Sequence, residues 1–170
     1  MMQTDRTWAG KGVNAMNDKF REYVESLHPS FQKLMSMPPV LVGDLPPGLP
    51  AEGVYLFSER ERPLYAGRSN RIRQRLQEHC RPSSTHNIAP FAFLLAREAT
   101  GKTRASYTPS GSRRELEADP VFREAFAQAK KRVAGMQVRY VEEPDSMRQA
   151  LLEMYVAVAL NTPYNSFETH

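Results

Sequence analysis

The chain changes its hydrophobic period several times, and the changes predict its elements. NDKFREYVESLHPSFQKLM, residues 17–35, places Phe20, Val24, Leu27 and Phe31 at helical spacing. This predicts one helix, or two broken at Pro29. MPPVLVGDLPPGLPAEG, with five prolines and three glycines, reads as a connector between that helix and the main fold. GVYLFS and LYAG are strand-like and flank the polar turn ERERP, so residues 53–67 predict a β-hairpin. A helix follows, capped by Ser69 or Asn70, with Ile72 and Leu76 on one face and Arg71, Arg75 and His79 recurring every four residues beside it. RPSSTHN ends this helix, and PFAFLLARE is a second apolar element, read as helix ahead of strand. Residues 100–112 have no period. DPVFREAFAQAKKRVAG is helical, opened by Pro120 and closed by Gly135. MQVRYVEE alternates as a half-buried strand, and DSMRQALLEMYVAVAL is a helix with Ser146 and Gln149 in capping-box spacing. The expected class is α/β (α+β), a small sheet covered on its faces by helices.

One residue breaks the last pattern. Glu153 is the single charge within eleven residues of ALLEMYVAVAL. Buried and unpaired, it would cost several kcal/mol, on the order of the penalty for a desolvated charge. It must be paired (an arginine of the 71–75 helix is a candidate), protonated, at a helix edge, or bound to a hard divalent cation such as Mg²⁺ that needs only one or two carboxylates. Tyr55 and Tyr65 lie on neighbouring strands where both can project from one face. A free phenol is protonated at neutral pH, and nearby cations would favour its phenolate. Arg75 can hold charge developing on a phosphate, and His79, one turn on, can move a proton.

Composition narrows the classes. The 170 residues, 41% of them hydrophobic, fit one domain of ordinary size with a real core. No stretch suits a membrane span or a secretory signal, and the lone Cys80 excludes a disulfide framework and a cysteine-held zinc, so a cytoplasmic protein is expected. The net charge of +4 is unevenly spread. Residues 68–81 carry Arg68, Arg71, Arg73, Arg75 and Arg81 against Glu78 alone, and a second basic stretch holds Lys102, Arg104, Arg113 and Arg114. Clustered arginine suits a phosphate-bearing partner, and equally a solvated helix face.

Taken together, these residues resemble the GIY-YIG nuclease family. Gly53-Val54-Tyr55 and Tyr65-Ala66-Gly67 stand where the family has Gly-Ile-Tyr and Tyr-Ile-Gly, with Val and Ala replacing Ile. Arg75 takes the place of the family's catalytic arginine, and Glu153 that of its metal-binding glutamate. His79 resembles the histidine of the restriction and homing branches, Arg68 a basic position, and Asn165, in Thr162-Pro163-Tyr164-Asn165, the family's late asparagine. The resemblance covers residues 53–81 and 136–165.

It implies a three-stranded antiparallel sheet flanked by helices, with an N-terminal helical extension and connector (1–50) before a nuclease-like domain (51–170) that has a helical insertion at about 82–135. It implies a DNA endonuclease dependent on Mg²⁺ or Mn²⁺, with Tyr55, Tyr65, Arg75, His79 and Glu153 catalytic and Glu153 on the metal. Gly53, Gly67 and Asn165 would support this site, while Arg68, Arg71, Lys102, Arg104, Arg113 and Arg114 would track the DNA backbone. One such site cuts one strand, so cleaving a duplex calls for a homodimer, two visits or a structured substrate. The competing expectations are a non-catalytic DNA-binding module of the same fold, and a plain structural domain with Glu153 ion-paired.

Overall fold

Residues 16–102 and 112–166 are described by a computed structural model. The central strand explains the layering. In β2 (Gly53–Glu59) every residue from Gly53 to Ser58 is buried, because both faces of the sheet are covered. Tyr55 and Phe57 point to one side and Val54 and Leu56 to the other, the period-2 outcome of an apolar run in a sheet interior.

β2 turns into β3 (Arg62–Ser69) through Arg60 and Glu61, both with positive φ (49° and 65°). This left-handed pair gives the strands a turn whose twist matches their own, here without the usual glycine. β4 (Gln137–Glu142) pairs antiparallel with the other edge of β2. The expected three-stranded sheet is in fact four-stranded, in the order β1-β4-β2-β3, with every pairing antiparallel. The added strand, β1 (Val40–Leu41), comes from the proline-rich connector. Its Val40 and Leu41 sit between Pro39 and Gly43 and pair with Val138 and Gln137. Local composition marked the segment as irregular; an open sheet edge recruited two residues of its apolar run Val40-Leu41-Val42.

Six α-helices fill the two outer layers among the described residues. One layer holds α1 (Asp18–Ser36) and α6 (Ser146–Ala159), which bury Leu27, Leu34, Leu152 and Val156 against Val54, Leu56, Ala66 and Val141. Of the two expectations for residues 17–35, a single helix is what forms. Pro29 is exposed, so water can serve the carbonyl it strands, while Leu27 and Leu34 anchor the helix on either side. The cap of α6 is Asp145, whose side chain accepts from Arg148 N at 2.8 Å, rather than the expected Ser146.

The opposite layer holds α2 (Ile72–Cys80), α3 (Pro90–Ala99), α4 (Arg113–Ala118) and α5 (Pro120–Ala134). Ile72, Leu76, Phe91, Phe93, Phe122 and Phe126 pack there beneath Tyr55 and Phe57. Pro120 opens α5 and Gly135 caps it as expected, whereas α4 lay in no periodic segment. No helix among the described residues is long and apolar enough to cross a membrane.

Candidate active site

Two glycines open the site. Gly53 has φ +150°, and a Cβ there would run into the backbone oxygen of Val141 on β4. The close β2–β4 approach at this end therefore requires a residue with no side chain. Gly67 lies opposite Tyr55 across the hairpin, and a Cβ there would overlap the Tyr55 phenol. The two Gly/Tyr clusters are thus one packing device. The second glycine vacates the space that the first cluster's tyrosine fills.

The result is a polar cavity of about 360 Å³ at the β3 edge, lined by Tyr55, Tyr65, Arg68, Arg75, Gln149 and Glu153 together with Gly67, Ser69 and Asn70. Both phenols, Arg75 of α2 and Glu153 of α6 meet here, although Glu153 follows Tyr65 by about half of the chain. Glu153 accepts from Arg68 Nε at 3.0 Å. Of the readings of this carboxylate, an ion pair is present, but its partner comes from β3 rather than from the 71–75 helix, and the Arg68 side chain is 46% exposed. Burial pushes the Glu153 carboxyl above its ordinary pKa, and Arg68 offsets this only in part.

His79 is not on the cavity wall. It is fully buried behind Tyr55, its Nε2 lying 2.9 Å from the Tyr55 hydroxyl and its ring meeting the edges of Tyr55, Phe57 and Tyr65. Burial, helped by the Arg75 charge, lowers its pKa to about 3, so the ring is neutral at pH 7. Its Nδ1 is buried without a partner. A bare buried lone pair is tolerated better than an unpaired buried N–H, so the proton belongs on Nε2. His79 then donates to the Tyr55 oxygen, and the phenol's own proton is left to face the cavity.

Neither phenol is ionised at neutral pH. Burial pushes Tyr55 far above its usual range, with Tyr65 adding to the shift, and Arg75 offsets little of it. Tyr65 is pushed up to about 12, again by burial. The Arg75 charge favours both phenolates, as expected of a nearby cation, but desolvation is the larger effect in a water-poor wall.

The depressed pKa of His79 has a measurable consequence. Between pH 6.5 and about 3 the unfolded chain binds a proton that the folded chain refuses. Stability should therefore fall on acidification through this window, by about 1.4 kcal/mol per pH unit from this group. Urea titrations from pH 7 to pH 4 should show this slope in the wild type and not in His79→Phe.

Arg75 is half-buried, and Nη1 donates to the Ile88 carbonyl at 2.7 Å while also lying 3.5 Å from Glu78. Those contacts fix one corner of the guanidinium and leave other donors available to the cavity. Asn165 acts from the far side of β3. Its amide accepts from Ala66 N at 2.7 Å and donates to Ala66 O at 2.8 Å, pairing with the edge strand as a neighbouring strand would. It thereby clamps the residue between Tyr65 and Gly67.

The basic positions scatter. Among the described residues expected on a DNA track, Arg68 alone lines the cavity. Arg71 lines a separate groove with Leu49 and Pro50. Lys102 pairs with Asp119, Arg113 lies over the Phe93 ring at 5.8 Å, and Arg114 is exposed on α4. Arg104 lies outside the described residues.

Gln149 and Asn70 were missed as site residues. Gln149 Nε2 donates to the Glu143 carbonyl at 2.8 Å and to Asn70 Oδ1 at 3.0 Å, so its side chain is not the capping-box partner its spacing suggested. The usable signal was its place one turn before Glu153 in the same apolar helix. No protein-family model, curated protein or solved structure matches this chain.

Proposed function

We propose that the protein is a metal-dependent endonuclease that hydrolyses DNA phosphodiesters at this cavity, in the manner of the GIY-YIG family. The observation that carries the reading is the convergence of Tyr55, Tyr65, Arg75 and Glu153 on one polar cavity from β2, β3, α2 and α6. Conventional packing does not ask for two phenols, a guanidinium and a carboxylate at one sheet edge.

The donor set fits a hard cation. Among the described residues no group of three or more His, Cys, Asp or Glu could hold a metal, which argues against a protein-caged zinc. One half-buried carboxylate beside an open polar cavity suits Mg²⁺ or Mn²⁺, which keep several waters and share phosphate oxygens. Glu153 would hold that ion, and its exposed partner Arg68 is free to turn towards the DNA backbone. Such an ion supplies positive charge to the phosphate and leaving oxygens.

Arg75, anchored through Ile88, faces the phosphate and stabilises the charge that grows on it during in-line attack. Tyr55, neutral as the cavity stands, would take the proton of the attacking water only where added positive charge favours its phenolate. His79 Nε2–H and Arg75 are the groups on its protein side that stabilise the negative oxygen. Tyr65, stacked on Phe91 at 4.8 Å, is rigid enough to position that water. His79 acts as a positioning residue, because it is buried and touches Tyr55 rather than the cavity.

The same burial favours a second reading. With both phenols held protonated, the cavity lacks a base until charge is added to it, as a DNA-binding module of this fold without turnover would. Incubating the protein with supercoiled plasmid in EDTA, Mg²⁺ or Mn²⁺ separates the two. The nuclease produces nicked or linear plasmid only with metal. Gel retardation without cleavage in every condition would establish the binding module instead.

A further inference from the structure

A second cavity, of about 390 Å³, lies at the opposite end of β3, between the hairpin, α3 and the segment after α6. Its walls include Arg62, Arg97 and Arg132 together with Glu59, Glu98 and Tyr164. One pair of these charges is matched, and the second acid has a hydrogen-bond donor. Arg132 donates to both oxygens of Glu59, at 2.9 and 2.7 Å, and the Tyr164 hydroxyl donates to Glu98.

Two arginines are left over. Arg62 is exposed and enters no ion pair among the described residues. Arg97 is the unusual one. It is only 7% exposed, yet no carboxylate among the described residues pairs with it. Its Nε donates to the Lys102 carbonyl at 2.8 Å, and its Nη2 is buried with no partner. Burial and the charge of Arg113 both disfavour the cation, lowering its pKa. The following stretch, TRASYTPSG at 103–111, contains no acidic residue to answer it.

A charge this deep is ordinarily matched, because an unpaired one costs several kcal/mol, on the order of the penalty for breaking a buried pair. Among the described residues no such partner is present, which leaves the place open to an anion from outside. Its chemistry follows from the donors: planar guanidinium forks suit phosphate oxygens, and the two acids of the cavity already have partners.

We propose that this cavity is a second phosphate subsite, in which Arg62 and Arg97 hold a backbone phosphate of the nucleic acid about 20 Å along β3 from the catalytic cavity. The distance is the span from Arg68 to Arg62 at the rise of a strand, equal to about six base pairs of duplex axis. A continuous set of ring contacts joins the two ends, from Tyr65 through Phe91 to Tyr164. The subsite deepens the nuclease reading, which supplies the polymer, whereas the phosphate-binding chemistry stands on Arg97 itself.

Two probes test it, inorganic phosphate and a fluorescein-labelled DNA duplex. Phosphate should raise the melting temperature of the wild type and of Arg75→Gln, whose lesion lies in the catalytic cavity. Arg97→Gln and Arg62→Gln should lose that response. Arg97→Gln should also melt no lower than the wild type in phosphate-free buffer, since it removes an unmatched buried charge. If Arg97→Gln does not fold, Arg97→Lys keeps the charge without the fork and should show a weakened response.

Duplex affinity, read by anisotropy in EDTA so that cutting plays no part, should fall about tenfold in Arg62→Gln, the value of one charge-assisted bond. The slope of log K against log salt should drop by about one. An unchanged phosphate response in both glutamine variants overturns the subsite. Loss of that response with duplex affinity and slope unchanged assigns the cavity to free phosphate and overturns the backbone role. A wild type that binds phosphate through Arg97 yet neither binds nor cuts DNA retains a phosphate subsite and defeats both its backbone role and the nuclease reading.

Discussion

Glu153→Gln should reduce plasmid cleavage by about 10²–10³-fold or more, the scale of losing one preorganised electrostatic contact to the transition state. Folding should survive intact. The substitution leaves Arg68 without its carboxylate, but the Arg68 side chain is 46% exposed and water can take the vacated place. The carboxyl itself is held above its ordinary pKa by burial. The folded state therefore binds its proton more tightly than the unfolded state does. Stability from this group rises as pH falls from above the raised folded value towards the unfolded one, so at pH 7 its charge is a burden on the fold. A neutral amide should melt at or slightly above the wild-type temperature.

Parallel measurements of nicking rate, duplex affinity in EDTA and melting temperature distinguish the three accounts of Glu153. Lost cutting with retained binding and melting supports the catalytic role. Unchanged binding in a protein that never cut supports the binding module. A fall in melting temperature would make Glu153 a structural ion pair. That last outcome is not expected, because the partner is on the surface rather than in the core.

The largest effect on stability is expected at Gly53. Gly53→Ala must place a Cβ against the Val141 carbonyl while holding φ at +150°. Strain of this backbone kind costs about 1–3 kcal/mol. Overpacking adds about 1–3 kcal/mol more. A loss of about 2–6 kcal/mol should follow, read as a drop in the urea midpoint with little change in m-value. Gly43→Ala is the matched control, since a Cβ there meets nothing within 4 Å. If Gly53→Ala melts with Gly43→Ala, the β2–β4 approach is looser than drawn, and the first glycine has no steric reason to be there. Gly67→Ala should differ from both, because its clash falls on the Tyr55 side chain. The cavity would be distorted even where the sheet survives.

These glycines show how far local pattern reaches. The sequence marks them as turn or strand-end residues without saying what each lies against. Val141 approaches Gly53 from a strand nearly ninety residues on, and Tyr55 fills the space at Gly67 from the neighbouring strand. The same holds for Asn165, whose pairing with Ala66 depends on where the chain returns after α6. The clustered charges mislead for a related reason. Arg71, Arg75 and His79 share a helical repeat, yet they end in a separate groove, on the cavity wall and in the core. A helix end and a sheet edge divided them.

The sequence by itself determined the hairpin, the helices at 72–80, 90–99, 120–134 and 146–159, the final strand, and helical structure within 18–36 whose continuity through Pro29 it left open. Each follows from an apolar pattern carried within about twenty residues, although Asp145 rather than Ser146 caps the last helix. It also singled out Glu153, because one charge in an apolar helix needs a reason wherever that helix packs. Only the tertiary structure decided that β1 joins the sheet, that Arg68 answers Glu153, that His79 is neutral behind Tyr55, and that Arg97 is buried with no counter-charge among the described residues. Those are matters of burial and of partners distant in sequence, and desolvation, which sets the energy of every charge here, exists only once the layers have closed.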